Sequence, residues 1–140
     1  MIIVYIKRHI EDALKSAINE KGVLCVTGAR QVGKSTVLKT LFADYREITL
    51  DDIRYLRLAI DRPEEFFCQF EPPLFIDEIQ YAPSLFPYIK IHVDKIGKKG
   101  SIILSGSQRF EMMAGVTESL AGRINLLDLY GLSLREVLGD

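Results

Sequence analysis

Apolar residues in this chain of 140 come in two alternating patterns. Five short segments, at 23–27, 46–50, 74–76, 101–104 and 124–129, read as strands, and 23–26, 74–76 and 102–104 are apolar on consecutive positions, as strands covered on both faces are. Between them, apolar positions recur every three or four residues, the helical period. Ile10, Leu14, Ala17 and Ile18 make one such stripe, and Val37, Leu38, Leu41 and Phe42 a second. Ile53, Leu56 and Ile60 make a third, Phe66, Phe67 and Phe70 a fourth, and Leu85, Ile89, Val93 and Ile96 a fifth.

The residues between the patterns fit this division. Gly22 and Gly97 stand where C-terminal helix caps are expected, Asp51 and Asp52 give the third stripe an acidic start, and Asp61, Pro63, Glu64 and Glu65 open the fourth. Pro72-Pro73 breaks the chain before the third run; Ser84 is placed to cap the fifth stripe, with Pro87 in its first turn. The apolar segment 1–7 reads as a strand or a docking segment. Short apolar strands alternating with helices predict an α/β fold, a parallel sheet with helices on both faces.

Composition bounds this picture. Hydrophobic residues make up 48% of the chain, enough for one filled core, so residues 1–140 are expected to form a single domain. With 18 Lys and Arg against 19 Asp and Glu, there is no strong signal for nucleic acid or an anionic membrane. No apolar stretch approaches the roughly 18 to 20 residues of a membrane span, and the absence of a targeting segment predicts a cytoplasmic location. Cys25 and Cys68 have no ligand spacing and are expected to be buried thiols.

Chemistry enters at Gly28-Ala29-Arg30-Gln31-Val32-Gly33-Lys34-Ser35, which fits G-x-x-x-x-G-K-S/T between a predicted strand and a predicted helix. By composition such an octapeptide arises by chance in roughly half a percent of chains this size. Its glycines let the backbone wrap phosphate oxygens, while successive N–H groups and the helix N-terminus form an anion cradle. Lys34 is expected at the β and γ phosphates, the Ser35 hydroxyl on Mg²⁺, and Thr36 at the α-phosphate, with ATP as the ligand. Arg30 either pairs near the phosphates or points to solvent.

The run 74–76 ends in Asp77 and Glu78. Alone, such a pair fits a solvated turn or a helix cap. Behind a phosphate loop, Asp77 suits Mg²⁺, directly or through water, and Glu78 suits the base that polarises water attacking the γ-phosphorus. The run 101–104 leads into Ser105, Gly106, Ser107 and Gln108, either a polar turn or a source of a γ-phosphate sensor, with Ser105 or Ser107 preferred over Gln108.

Taken together, the phosphate loop, Phe75-Ile76-Asp77-Glu78-Ile79-Gln80, Leu104-Ser105-Gly106-Ser107 and Ser119-Leu120-Ala121-Gly122-Arg123 resemble the prokaryotic AAA+-like ATPases whose P-loop reads G-x-R-Q-V-G-K-S/T. Leu50-Asp51-Asp52 and Leu132-Ser133-Leu134-Arg135-Glu136 extend the likeness over nearly the whole chain. The resemblance implies a three-layer P-loop NTPase fold whose five-stranded sheet has the order 5-1-4-3-2. It also implies an ATPase core that ends before a helical lid and a C-terminal domain, a protein partner specified by such domains, and possible homo-oligomers. Arg123 would be a finger reaching a nucleotide in the same chain or across a subunit interface, or else a surface arginine on an ordinary carboxylate. Lys7 and Arg8 are candidates to approach the adenine.

Two other functions share the loop. A nucleotide-gated interaction module would use ATP occupancy to bias a conformation, with little turnover. A small-molecule kinase would need an arginine-rich lid over its acceptor, whereas the position of Glu78 favours water.

Overall fold

The computed structural model describes residues 11–28, 34–107 and 119–128, with the side chains of Lys34 and Ser35 outside the description. Predicted features at 1–10, 29–33, 108–118 and 129–140 therefore lie outside it. These include the 1–7 segment, Lys7, Arg8, Ala29, Arg30, Gln31, Val32, Gly33, Gln108 and the Leu132 to Glu136 stretch.

Five parallel strands form one sheet: β1 (Val23–Thr27), β2 (Arg46–Thr49), β3 (Leu74–Asp77), β4 (Ile102–Gly106) and β5 (Ile124–Asp128). Their spatial order is β2-β3-β4-β1-β5, the order that the resemblance implies. Helices are α1 (residues 11–17), α2 (Lys34–Leu41), α3 (Ile53–Asp61), α4 (Pro63–Gln69) and α5 (Phe86–Ile96).

Strand alternation divides the core in two, because successive side chains point to opposite faces. Val23, Cys25, Ile76, Ile102 and Leu104 pack with Ala59 of α3, Phe66 and Phe67 of α4, and Ile89 and Val93 of α5. Leu24, Val26, Phe75 and Ile103 turn the other way, onto Leu14 and Ala17 of α1, Leu38 of α2 and Phe42 beyond it. The result is three layers, with β1, β3 and β4 buried on both faces. In α4, Phe66 meets Phe67 and Phe70 edge to face at centroid separations of 5.3 and 5.2 Å, an arrangement favoured by the ring quadrupoles.

Local chemistry sets most helix ends. Asp52 caps α3 by accepting from the Arg54 amide at 3.0 Å. Pro63 opens α4 with Glu64 and Glu65 in its first turn, where carboxylates face the positive helix end. Gly97 closes α5 in the left-handed conformation, at φ 69°.

Three local expectations are corrected. Ser84 caps no helix: Pro83 starts a 3-10 turn through Leu85 that runs straight into α5, so Ser84 is an exposed residue inside the turn. Gly22 is not a left-handed cap; a Cβ there would lie 2.3 Å from Val93 Cγ1, and glycine is needed for that close approach of backbone to α5. Cys68 is exposed, because the buried face of α4 is taken by Phe66 and Phe67.

The two thiols are therefore chemically unequal. Cys25, at the centre of β1, has its pKa pushed up to about 12 by burial, which disfavours the thiolate. Under native conditions at pH 8, iodoacetamide followed by mass spectrometry should add one label, on Cys68, with Cys25 labelled only after denaturation. Two labels at similar rates would contradict the packing of β1.

Candidate functional site

Because all five strands are parallel, their C-terminal ends share one edge of the sheet, the place where α/β folds bind ligands. The register brings Thr27 level with Gly106 on one side and with Asp128 on the other. The ladder continues one step further, with the Gly28 amide donating to the Gly106 carbonyl at 3.2 Å. Gly28 is thus a fixed exit point for the loop, and α2 begins at Lys34. Thr36 is exposed in the first turn of α2. The Thr27 hydroxyl, also at this edge, is buried with no hydrogen-bond partner among the described residues.

Asp77 and Ser105 are the next positions beyond the Ile76–Leu104 register pair, on the sheet face covered by α1 and α2. The fully buried Ser105 hydroxyl donates to Asp77 Oδ1. The sequence leaves Ser105 as either part of a polar turn or a γ-phosphate sensor; β4 runs through Gly106, so Ser105 lies within the strand and not in a turn, with its hydroxyl on the Asp77 carboxylate. Ser107, half-buried just past the strand end, is the serine that the structure leaves closer to the mouth of the site.

The chain turns sharply after Asp77. Glu78 is left-handed at φ 60° and ψ 46°, a conformation that costs a non-glycine residue about 1–2 kcal/mol. This turn directs the Glu78 side chain into the protein, where only 3% of the residue remains exposed. Gln80 follows in the 3-10 turn Ile79–Tyr81, and its Nε2 donates to Glu78 Oε2 at 3.0 Å and to Ser107 Oγ at 3.3 Å. Gln80 is the site residue that sequence reasoning passed over. Its signal was present in the Asp77-Glu78-Ile79-Gln80 string, but a glutamine two residues beyond a strand has no spacing that points inward.

Nearby, the Asp52 side chain caps α3. The Leu50 amide donates to the Asp77 carbonyl at 3.0 Å, which pins the end of β2 to β3 beside the site, and the Asp51 amide donates to Thr49 Oγ1 at 3.2 Å within the turn that follows β2.

Arg123 lies elsewhere. It precedes β5, its carbonyl accepts from the Val23 amide at 3.0 Å, and its Nε donates to Asp94 Oδ1 at 2.6 Å. Five residues of β1 separate that level from Gly28, about 16 Å at the usual strand rise. The structure thus places Arg123 in a carboxylate contact and does not bring it to the Gly28 end of β1 in its own chain. The Asp94 carboxyl is held below the usual carboxylate range by that hydrogen bond.

No described group of three or more His, Cys, Asp or Glu residues could hold a metal ion by itself. One carboxylate at a strand end and a serine in the first turn of a helix are the residue types of a different arrangement, since Mg²⁺ keeps several waters and is held by one or two protein oxygens plus phosphates. Asp77 and Ser35 fit that donor set. A groove of about 630 Å³ lined by Tyr45, His92, Lys95, Lys98 and Lys99 belongs to the opposite end of the sheet, where Gly100 and Ser101 precede β4. No described helix is long and apolar enough to cross a membrane.

Residues 20–138 match the family described as an AAA domain. Over 134 residues, 94% of its length, the chain is 31% identical to the uncharacterized protein Rv2008c of Mycobacterium tuberculosis and to the uncharacterized protein Mb2031c of Mycobacterium bovis. It spans 30% of the length of each. Among solved structures it is similar to the Walker-type ATPase PABY2304 of Pyrococcus abyssi, with a TM-score of 0.56, 17% identity, and coverage of 84% of this chain and 52% of that one. A DNA replication initiation factor aligns with a TM-score of 0.56 and 17% identity, covering 94% of this chain and 49% of the other. At that identity the two structures establish the fold.

The strain at Glu78 has a measurable consequence. Glu78→Gly and Glu78→Ala both remove the buried carboxylate, but only glycine relieves the left-handed backbone. Urea titration should find the glycine variant more stable than the alanine variant by about 1 kcal/mol. Equal stabilities would mean that residue 78 is not held at positive φ in solution.

Proposed function

The chain belongs to the AAA domain family, and from that premise we infer that it binds ATP with Mg²⁺ and hydrolyses the terminal phosphoanhydride. The observation that carries this reading is the convergence of Asp77, Glu78 and Ser107 with the Gly28 exit and the start of α2 at one edge of a parallel sheet.

In this reading the amides from Gly28 through Ser35 cradle the phosphates, including those of Ala29, Arg30, Gln31, Val32 and Gly33, and Thr36 meets the α-phosphate. Lys34 places its charge against the β and γ phosphates. Ser35 and Asp77 would hold Mg²⁺, which would supply positive charge against the phosphates when bound. Ser105 orients the Asp77 carboxylate by donating to Oδ1. Glu78 accepts a proton from the attacking water, and Ser107 reports the γ-phosphate. Arg123 keeps a role only in trans, toward the nucleotide of a neighbouring copy. The conformational output goes to a protein partner.

Lys34→Ala should weaken binding of a non-hydrolysable ATP analogue by roughly 10- to 100-fold in calorimetry, the loss of one charge-assisted contact. Unchanged affinity would remove the phosphate loop assignment. Glu78→Gln should keep the affinity while lowering kcat for phosphate release by about 10²- to 10⁴-fold. If wild type and Glu78→Gln release phosphate at the same rate, Glu78 is not the base. A wild type that binds ATP yet releases no phosphate above the rate of uncatalysed hydrolysis favours the nucleotide-gated module.

A further inference from the structure

Gln80 is 8% exposed and sits between the base and the Ser107 hydroxyl. Half of its carboxamide is used: Nε2 makes both hydrogen bonds, while Oε1 is buried with no partner among the described residues. The amide cannot be turned around to cure this. A carboxylate oxygen accepts and does not donate, so the nitrogen must face Glu78 and the oxygen must be the atom left over. Buried acceptors in native proteins almost always have a donor, and this one is held beside the base by two hydrogen bonds.

The donor it fits is defined by the reaction. An attacking water has two O–H groups, and a single base engages one of them. We propose that Gln80 acts directly on that water: Oε1 accepts one hydrogen while Glu78 removes the other, and Nε2 ties the Glu78 carboxylate to Ser107. The assignment rests on the hydrolysis reading above. In the step, the water oxygen forms a bond to the γ-phosphorus, the bond from that phosphorus to the β–γ bridging oxygen breaks, and ADP leaves with the electron pair. The proton goes to Glu78; Gln80 exchanges none and sets direction only, the task a neutral amide suits. Because Ser107 shares the Nε2 donor, a hydroxyl drawn toward the γ-phosphate would reorient the same amide. The water acceptor is thereby coupled to occupancy of the triphosphate.

Three measurements on the chain test this. First, Gln80→Met keeps the side-chain length and removes both polar atoms; affinity for a non-hydrolysable ATP analogue should stay within about threefold of wild type while kcat falls on the order of 10²-fold. Second, Gln80→Asn retains the amide on a shorter arm that cannot span Glu78 and Ser107, and should lose kcat to a similar degree. Third, in the nucleotide-free protein the side-chain amide protons of Gln80 should exchange slowly by NMR, and Glu78→Ala should shift them toward free glutamine values. A wild-type kcat in folded Gln80→Met or Gln80→Asn, with Glu78→Gln inactive, would overturn the role of Gln80 and leave the ATPase reading standing. Side-chain protons that exchange at the solvent rate and ignore Glu78→Ala would overturn it without reference to activity. Absence of turnover in the wild type would remove the hydrolysis reading and this proposal with it.

Discussion

Ile102, Ile103 and Leu104 hydrogen-bond in parallel to β1 on one side and to β3 on the other, with Val23 and Leu74 both in register with Ile102. This insertion of β4 is the constraint on which the site depends. It brings strand ends that are distant in sequence to a common level: Gly28 beside Gly106, and Asp77 beside Ser105. Parallel pairing leaves no choice about direction, so every group that follows a strand emerges at the same edge. The pairing is secured by burial, since β4 and the three apolar residues of β3 lie between two helical layers. Full burial of a Leu or Ile stabilises by about 1.5–3 kcal/mol, and a one-residue slip would reverse every inward side chain.

At that edge the protein holds polar groups under conditions that folding alone would not favour. Glu78 combines burial with a left-handed backbone, and the neighbouring Gln80 and Thr27 each carry a buried oxygen without a partner among the described residues. Costs of this kind are retained where function requires a group to be fixed before a ligand arrives. The division between the two carboxylates follows from strand geometry: Asp77 is the last residue of β3, on the α2 side of the sheet and bonded to Ser105, whereas Glu78 belongs to the turn and is bonded to Gln80. Adjacent acids thus enter different hydrogen-bond networks.

The other end of the sheet has a separate character. Arg123 pairs with Asp94, Gly22 abuts Val93, and the Tyr45 hydroxyl donates to the Gly100 carbonyl. These contacts tie the entrances of the strands to α5 and to the turn before β4. An arginine engaged there is remote from Gly28 at the other end of β1, which separates a residue with a recognisable string from the residues gathered at that edge.

Much was decided locally and could be read along the chain. Consecutive apolar runs marked the central strands β1, β3 and β4 and helical periodicity marked the helices, because burial on two faces and burial on one stripe require different spacings. Gly97 and Asp52 behaved as caps for reasons contained within a few residues. The glycine-lysine-serine string and the Asp77-Glu78 pair stand out along the chain because the chemistry they suggest needs particular residue types at particular intervals. Strand order was not legible from periodicity; it came with the likeness to a family, since nothing in a strand encodes which neighbour it will take. Nor could spacing report that β4 would carry Ser105 onto Asp77, that Gln80 would bridge Glu78 and Ser107, that Cys68 would face solvent, or that Arg123 would settle on Asp94. Those outcomes depend on which surfaces meet after the sheet is assembled. Only the tertiary structure decides such meetings, because the energy of a side-chain pair is set by distance in space and the chain specifies separation along itself.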